Sequence, residues 1–405
     1  MARTTYPKIA LIREGKVPPD SRVALTPQQV ATLRNQGLDI TVVPSEHRVF
    51  ADEEYAELGI PLQQNLEDRD LLLGIKEVNI DDLVSGKTYC FFAHVIKKQP
   101  YNRKLLLALL NKRIRHLDYE VMTDTRGRRL IAFGFFAGVV GAHNGLWAYG
   151  RRTGSFDLPR MKDLFDYAAA KKHYNKLQLP PIKVVLTGTG RVGKGAKKVL
   201  EDMGMQRVKP QEFLTLSFEK PVYTQLVCED YARRKDGQPF DKADFYAHPS
   251  RYQSSFLPFT RVADVFINGI FWDNEAPAFF TREEMMAPEF NIRTIADVTC
   301  DIAPISSVPS TIKASTIAHP VFGYDPITNA EIAPYQEGYV DVMSIDNLPS
   351  ELPRDASQAF GEMFIEHILP EFAKSDSDIL QRATVTENGE LGPHFKYLRA
   401  YKEGQ

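Results

Sequence analysis

The chain has 405 residues, of which 43% are hydrophobic and 25% charged, a composition typical of a globular protein of roughly two or three domains. The formal net charge of -2 gives no reason to expect a nucleic acid or an anionic membrane as a partner. No apolar run reaches the roughly 18 residues that a membrane-spanning helix needs, and the N-terminus lacks the apolar core of a signal peptide. We therefore expect a cytoplasmic protein.

The cysteines give no sign of a structural disulfide or a metal site. Cys90, Cys228 and Cys300 lie far apart in the sequence, and no two of them form a C-x-x-C pair. We expect three reduced thiols and no bound metal.

The first third of the chain alternates between apolar, β-rich runs and helical patterns. Strands are predicted at residues 9–12, 40–43, 71–75, 89–92 and 115–119. One helix is predicted to begin after Thr26, with Pro27 in its first turn and Gln29 completing a capping box. A second helix is predicted over residues 101–113. The alternation indicates a parallel sheet in a doubly wound α/β domain.

A glycine turn in the middle of the chain predicts a nucleotide site. An apolar strand at 183–187 precedes Gly188, Gly190 and Gly193, which have G-x-G-x-x-G spacing, and a helical pattern follows. Gly188 permits a sharp turn, and Gly190 lets backbone amides approach a pyrophosphate. Gly193 lets the helix pack close to the strand, and the positive end of that helix attracts phosphate. Arg191 and Val192, within the same turn, are further candidates for cofactor binding.

The rest of the chain completes two predicted domains. Small residues between 133 and 150 indicate a closely packed crossover helix, strands are predicted at 265–268 and 294–298, and a long helix at 356–372. The polar, tyrosine-rich region 206–259 reads as an insertion or a set of surface helices. We therefore predict two Rossmann-like, doubly wound α/β domains with a cleft between them. Residues 1–132 and 354–405 form the catalytic domain, and residues 133–353 form the dinucleotide-binding domain.

Three polar residues directly follow strands of the first domain. Lys76, His94 and Glu120 come after the third, fourth and fifth predicted strands. The carboxyl ends of parallel strands share one edge of a sheet, so these side chains are expected to meet there. A lysine, a histidine and a carboxylate in a cleft can move protons at neutral pH. The alternatives are a solvated Lys76, a loop-capping His94 and a Glu120 paired with Arg128.

An ordered set of longer motifs identifies a known family. The matching segments are SRVALTP from Ser21, GIKEV from Gly74, KTYCFFAHVIKKQ from Lys87, LDYEVMTDTRGRRLIAFGFFAG from Leu117, TGTGRVGKGA from Thr187, FINGIFWDNEAP from Phe266 and SIDNLPSELPRDAS from Ser344. By these motifs the chain resembles the L-lysine-forming saccharopine dehydrogenases, and especially the lysine 2-oxoglutarate reductase half of the bifunctional animal and plant enzymes. Alanine dehydrogenase and the soluble nucleotide-binding part of transhydrogenase are wider relatives.

The resemblance implies a reaction and assigns roles to residues. Saccharopine would be interconverted with L-lysine and 2-oxoglutarate, with hydride passing to or from a nicotinamide. Lys76 matches the lysine that exchanges a proton with the amine nitrogen, and His94 matches the histidine of the water and carbinolamine steps, although the two roles can be exchanged. Glu120 matches the acidic residue that tunes this pair. Because the sequence ends at Gln405, we expect no glutamate-forming second half.

Substrate and cofactor contacts are carried over in the same way. Arg22 and Arg129 match substrate-facing arginines, since guanidinium binds a carboxylate as a fork. Arg128 is a rival for the second position, and Lys97 is a further substrate-binding candidate. Asp346 matches an acidic residue beside the cofactor.

The choice between NAD and NADP depends on the residue that faces the adenosine ribose. No clear acidic residue stands about 20 positions beyond the glycines. The run 213–216 is followed by Ser217, which with nearby cations would accept the 2'-phosphate of NADP, whereas Glu219 would select NAD. The sequence leans slightly towards NADP.

Two other functions remain open from the sequence. The chain could be an alanine dehydrogenase or another opine-type reductive-amination enzyme, or a nucleotide-binding protein without turnover. Oligomeric state, reaction direction and the exact amine partner also stay open.

Overall fold

A computed structural model describes residues 6–17 and 20–404 of the chain. These residues form two units: unit 1 runs up to Phe133 and resumes at Pro353, and unit 2 comprises Gly134–Leu352. Within the described ranges, no helix combines the length and the apolar character needed to cross a bilayer.

The strands of the described residues are short. In chain order they are β1 (Ile9–Leu11), β2 (Ile40–Val42), β3 (Leu71–Leu73), β4 (Thr88–Cys90), β5 (Arg115–Leu117), β6 (Lys183–Thr187), β7 (Gln206–Arg207), β8 (Val222–Leu226), β9 (Ala232–Arg234), β10 (Tyr252–Ser254), β11 (Val265–Asn268), β12 (Thr294–Asp297), β13 (Phe322–Asp325), β14 (Ala330–Ile332), β15 (Val340–Met343), β16 (Thr384–Glu387) and β17 (Glu390–Leu391).

The helices vary more in length. In chain order they are α1 (Pro27–Asn35), α2 (Asp52–Ala56), α3 (Arg103–Asn111), α4 (Gly134–Thr153), α5 (Tyr167–Tyr174), α6 (Arg191–Asp202), α7 (Pro210–Thr215), α8 (Cys228–Tyr231), α9 (Lys242–Ala247), α10 (Leu257–Thr260), α11 (Arg282–Met285), α12 (Pro353–Met363), α13 (Asp378–Ala383) and α14 (Arg399–Glu403). Single 3-10 or π turns lie at Ile80–Asp82, Val95–Lys97, Pro100–Asn102, Tyr119–Val121, Met161–Asp163, Pro249–Arg251, Leu348–Glu351, Phe364–Ile368, Leu369–Ala373 and Pro393–Leu398.

Unit 1 is built on a mostly parallel sheet. Among the described residues its strand order is β17-β16-β5-β4-β3-β1-β2, and only β16 and β17 run antiparallel to their neighbours. The core strands are apolar because each is covered on both faces by buried side chains. The capping box that Thr26 and Gln29 predict is present at the start of α1. The chain leaves β1 for β2 on one side and returns to β3 on the other, so β1 and β3 flank a topological switch point.

Unit 2 has a second parallel-dominated sheet. Its order in the described residues is β14-β13-β15-β12-β11-β6-β8-β7, and only the β13–β14 end is antiparallel. Strand β6, which precedes the glycine turn, is central and fully paired. The predicted class of two Rossmann-like α/β domains is confirmed.

Glycines allow α4 to lie directly against α6. A Cβ built on Gly138 would stand 1.9 Å from the carbonyl oxygen of Val192, and one on Gly195 would stand 1.9 Å from that of Phe135. The two helix backbones are therefore in contact. The small residues of the segment 133–150 serve the close packing that the sequence predicts.

Two predicted elements differ from the structure. The region 206–259 is not wholly an insertion, because Val222–Leu226 forms the fully buried strand β8 beside β6. The predicted helix at 356–372 is a succession of α, π and 3-10 turns over residues 353–373. Pro370 explains the break, since a proline donates no backbone hydrogen bond and clashes with the preceding turn.

Candidate active site and nucleotide site

Four strand ends of unit 1 bring ionisable side chains to one edge of its sheet. Glu14 follows β1, Lys76 follows β3, His94 follows β4 and Glu120 follows β5, and these strands run parallel. The edge includes the switch point between β1 and β3, the usual position of a ligand site in an open α/β sheet.

Lys76 and His94 are in contact, and a carboxylate completes the group. The Nζ atom of Lys76 lies 3.4 Å from Nε2 of His94, and Nδ1 of His94 lies 2.8 Å from Oε1 of Glu77. We refer to these three residues as the proton triad. A carboxylate only accepts hydrogen bonds, so contact with Glu77 places a hydrogen on Nδ1 and leaves Nε2 to accept from Lys76.

The triad is set up for proton exchange near neutral pH. Burial, together with the positive charges of Arg22 and Lys16, lowers the pKa of Lys76 to about 8 against the opposing effect of Asp20 and Glu77. Burial alone would raise the pKa of Glu77, but the hydrogen bond with His94 and nearby positive charges outweigh it and hold that pKa below its ordinary value. Glu77 is therefore a carboxylate wherever Lys76 titrates.

The backbone of His94 carries the strain that the site geometry requires. Its φ angle is 55°, in the left-handed region. Such a conformation costs of order 1–3 kcal/mol in a non-glycine residue and is concentrated at functional sites. It turns the chain sharply after β4, which brings the imidazole beside Lys76.

Glu120 lies with cations and not with the proton triad. Its Oε1 atom is 3.2 Å from Nζ of Lys97 and 3.8 Å from the guanidinium of Arg129. Both groups approach the ring of Phe92, with Lys76 Nζ 5.6 Å and the Arg129 guanidinium 5.8 Å from its centroid. The carboxylate that contacts His94 is Glu77, and not Glu120, which was expected to tune the pair.

The structure distinguishes Arg129 from Arg128, the alternative candidate for the same substrate-binding position. Arg128 extends into solvent and pairs with Asp124 at 2.7 Å, so the alternative pairing of Glu120 with Arg128 does not occur. Arg129 and Lys97 are partly exposed, at 37% and 49% of their side chains. Both remain accessible to an anionic ligand.

Arg22 lies near Lys76 but is buried. Only 2% of its surface is exposed, and its guanidinium binds both oxygens of Asp20, at 2.9 and 2.5 Å, while lying 4.1 Å from the centroid of the Phe133 ring. Breaking such a buried pair is strongly destabilising because it leaves an uncompensated charge. Asp20, which the sequence reasoning missed, therefore fixes Arg22 near Lys76.

Glu14 anchors the turn that carries Lys76. Its two carboxyl oxygens accept hydrogen bonds from the backbone amides of Ile75 and Lys76, at 2.6 and 2.7 Å. Burial, together with repulsion from Asp20, raises its pKa to about 8 despite these bonds. This residue was also missed, since nothing in the local sequence pairs it with the end of β3.

The glycine turn of unit 2 has the geometry of a phosphate cradle. Gly188 has a φ of +93°, and a Cβ on Gly193 would stand 2.0 Å from the carbonyl oxygen of Gly188, so both positions require glycine. Apart from its chain neighbours, no described residue comes within 4 Å of a Cβ built on Gly190, which caps the N-terminus of α6. Open space above Gly190 and the positive end of α6 fit the pyrophosphate of a dinucleotide.

A cavity of about 660 Å³ lies beside this turn. It is bounded by Gly188–Gly190, by residues that follow β8 and β11, and by the segment from Phe240 to Pro249. Because it lies beyond the carboxyl ends of parallel strands, it has the position expected of a nucleotide site. The residues present therefore fit a nicotinamide dinucleotide cofactor.

A buried polar network fixes the turn to the neighbouring strands. Thr187 donates to the side chain of Asn268 at 3.0 Å, and Asn268 donates to Asp297 at 2.8 Å. Thr311 also donates to Asp297, at 2.6 Å. Burial raises the pKa of Asp297 to about 6 against these hydrogen bonds. The ends of β6, β11 and β12 are thereby joined.

The other residues predicted to bind the cofactor are Val192, Arg191 and Asp346, and they lie in different surroundings. The side chain of Val192 packs against Gly269, and Arg191 begins α6. Asp346 is exposed beyond β15 and is close enough to Cys300 to contribute to its raised pKa.

Ser217 lies outside the described lining of the cavity. The run 213–216, which precedes Ser217, lies mainly in helix α7, and the strand beside β6 is β8. The described residues that line the cavity include Glu229, just beyond β8, and do not include Ser217.

Comparison with known proteins gives homologues over nearly the whole chain. Residues 10–140 match the family described as alanine dehydrogenase/PNT, N-terminal domain. The chain is 30% identical over 453 residues to the mitochondrial alpha-aminoadipic semialdehyde synthase of Rattus norvegicus, covering 98% of this chain and 48% of that protein. It therefore spans about half the length of this relative.

A second relative is matched over most of both chains. The saccharopine dehydrogenase (NAD(+), L-lysine-forming) of Emericella nidulans is 28% identical over 383 residues, covering 89% of this chain and 91% of that protein. Among solved structures, an L-alanine dehydrogenase has a TM-score of 0.65 at 16% identity, covering 96% of this chain and 98% of that one. A transhydrogenase from Sinorhizobium meliloti has a TM-score of 0.57 at 12% identity, covering 95% and 99%. These two likenesses show the fold.

Proposed function

This chain is a relative of the L-lysine-forming saccharopine dehydrogenases, and from that premise we propose that it is an oxidoreductase acting on the CH-NH group of saccharopine. It interconverts saccharopine with L-lysine and 2-oxoglutarate, using a nicotinamide cofactor. The observation that carries the proposal is the contact chain of Lys76, His94 and Glu77 at the strand ends of unit 1.

The proton triad supplies the acid-base steps. Oxidation removes a hydride from carbon and a proton from the secondary amine, after which water adds to the imine and the carbinolamine splits into the amine and the oxo acid. The bound nicotinamide would supply the hydride acceptor. Lys76, with a pKa of about 8, takes the proton from the amine nitrogen. His94 takes the proton of the attacking water at Nε2 while Glu77 holds the hydrogen on Nδ1.

The cations of unit 1 bind the carboxylates of the substrate. Saccharopine carries three carboxylates, so its site needs fixed positive charge. Arg129 and Lys97 are partly exposed and share Glu120 as a counter-ion, which keeps the two cations close together. The buried guanidinium of Arg22 adds a positive field near Lys76. We propose that Arg129 and Lys97 contact substrate carboxylates directly and that Glu120 positions them.

The lining of the cavity supports NAD over NADP, against the lean of the sequence. Glu229 stands just beyond β8, where an acidic residue typically binds the adenosine ribose hydroxyls. Asp241 and Asp273 also line the cavity, and Lys242 is the basic residue found there among the described lining residues. A 2'-phosphate would add negative charge to a lining that is already acidic. Asp346 is proposed as a further residue beside the cofactor.

The direct test follows oxidation of NADH and NADPH by the purified chain. With 2-oxoglutarate plus L-lysine, NADH should be oxidised with a higher kcat/KM than NADPH. Oxidation only with pyruvate plus ammonia would replace the proposal with an alanine dehydrogenase activity. Nucleotide binding without oxidation in either mixture would indicate a protein without turnover.

A further inference from the structure

Unit 2 carries a small folded insert between two strands of its main sheet. After β8, the chain forms α8, β9, α9, β10 and α10 before it returns to the sheet at β11. Strands β9 and β10 pair antiparallel with each other, outside the sheet that contains β8 and β11. A direct β-α-β crossover does not require these additional elements. The insert is therefore expected to have a function of its own.

The insert has a rigid core of its own. Asp244 on α9 accepts hydrogen bonds from Arg234 at 2.8 Å, Arg251 at 2.7 Å and the Tyr252 hydroxyl at 3.0 Å. The rings of Phe240, Phe245 and Tyr252 pack with centroids 5.0–5.6 Å apart. Helix α9 is therefore held in a fixed orientation on β9 and β10.

This orientation places Tyr246 on the cavity beside the glycine turn. Tyr246 lines that cavity while 61% of its surface is exposed. Its hydroxyl lies 3.6 Å from the Sγ atom of Cys228, which also accepts a hydrogen bond from Tyr231 at 3.2 Å. The hydroxyl end of the ring is thus fixed to Cys228, two residues beyond β8, while most of the Tyr246 surface remains exposed.

We propose that this insert is the adenine-binding wall of the nucleotide site, with the Tyr246 ring stacking on the purine. The inference rests on the proposed function only in taking the ligand to be an adenine dinucleotide. Glu229 stands on the same side of the turn, one residue beyond Cys228, at the position that faces the adenosine ribose. A planar base placed next to that ribose meets the segment from Phe240 to Pro249, which closes this side of the cavity.

The test measures the dissociation constant of ADP-ribose for the full chain. ADP-ribose contains the adenosine and pyrophosphate groups but no nicotinamide. Because stacking of a base on an aromatic ring contributes roughly 1–3 kcal/mol, Tyr246→Ala should raise this Kd roughly 5- to 150-fold. Tyr246→Phe keeps the ring and should stay within about 3-fold of the wild type. Phe165→Ala removes an aromatic side chain of unit 2 that is 66% exposed and does not line the cavity, and should leave the Kd unchanged.

A second ligand separates loss of stacking from general damage. Reduced nicotinamide mononucleotide has no adenine, so its affinity should be the same for the wild type and Tyr246→Ala. Unchanged ADP-ribose affinity in Tyr246→Ala, or equal weakening of both ligands, would overturn the adenine wall and leave the proposed function standing. If the wild type binds neither ADP-ribose nor NAD, the nucleotide site and the proposed function are both wrong.

Discussion

The geometry of the proton triad depends on the backbone of one residue. His94 adopts a left-handed conformation directly after β4, and its ring then meets Lys76 on one side and Glu77 on the other. Sequence reasoning selects Lys76 and His94, because both follow strands of one parallel sheet. It does not select Glu77, although this residue is next to Lys76 in the motif GIKEV, because the orienting carboxylate is chosen by side-chain directions. Sequence reasoning does not select Asp20 either, because its contact with Arg22 depends on how the loop turns.

Loss of either basic member of the triad should slow turnover. Lys76→Met and His94→Gln should each lower kcat by about 10² or more, since each removes a proton-transfer group. The Kd of NAD should stay within about 2-fold of the wild-type value, because the nucleotide cavity lies wholly in unit 2. Steady-state kinetics and calorimetry measure the two effects. Wild-type kcat in both variants would remove these residues from the mechanism.

The variant Glu77→Gln tests the third member of the proton triad through the pH dependence of kcat/KM. Oxidation of saccharopine uses neutral Lys76, so kcat/KM should rise with pH through the Lys76 pKa, about 8 in the wild type. The negative charge of Glu77 raises that pKa, and its removal should therefore move the rising limb to lower pH. A limb that stays in place or moves to higher pH would show that Glu77 does not act on Lys76 through its charge.

At two positions, a short apolar run in the sequence does not by itself indicate the correct secondary structure. The run 213–216, which precedes Ser217, lies mainly in helix α7, because Pro210 at the helix start and the side chain of Glu212, which accepts a hydrogen bond from the amide of Lys209, favour a helix. The run 222–226 was overlooked within a polar region, yet it is a fully buried strand. A four- or five-residue apolar run fits either structure, and neighbouring strands decide between them. Ser217 was selected because it follows the run 213–216, whereas the acidic residue that follows β8 and lines the cavity is Glu229.

The contact between α4 and α6 gives a prediction at the level of elements. Gly138→Ala would place a methyl group 1.9 Å from the Val192 carbonyl oxygen, which is backbone and cannot turn away. The helices must move apart, and we expect a loss of about 1–3 kcal/mol in the free energy of unfolding, as for other overpacked sites. Urea denaturation followed by the fluorescence of Trp147, which lies on α4, measures it.

A matched variant exists on the same helix. Gly134→Ala adds a methyl group whose nearest neighbour, the Cβ of Arg191, is 3.4 Å away, an ordinary contact. Its unfolding free energy should be no lower than that of the wild type. Equal stability of the two variants would contradict the close backbone contact.

At the scale of the molecule, the order of motifs predicts more than any single element does. Strand-helix alternation, a glycine turn and a second set of strands predict two parallel-dominated sheets, and both are present. The sequence also places chemistry at strand ends because parallel strands share one edge. The insert that walls the nucleotide cavity was not predicted as a functional part, since its aromatic residues meet only when β9 pairs with β10.

Ligand binding to unit 2 should appear as a selective gain in its thermal stability. Both tryptophans of the chain, Trp147 and Trp272, lie in unit 2, so their fluorescence reports on its unfolding. NAD at 100 times its Kd should stabilise the folded unit by about 2.7 kcal/mol. For a unit of this size that is a rise of roughly 5–11 °C in Tm.

The glycine turn supplies the control for this shift. The methyl group of Gly190→Ala meets no other described residue within 4 Å, and Ala caps a helix less well than Gly, so its Tm without ligand should lie within a few degrees of the wild type. The added methyl group occupies the space above the N-terminus of α6 where the pyrophosphate would lie, so the rise with NAD should be largely lost. A full rise in Gly190→Ala would mean that the dinucleotide binds away from the turn, because a methyl group at that position cannot be accommodated beneath a bound pyrophosphate.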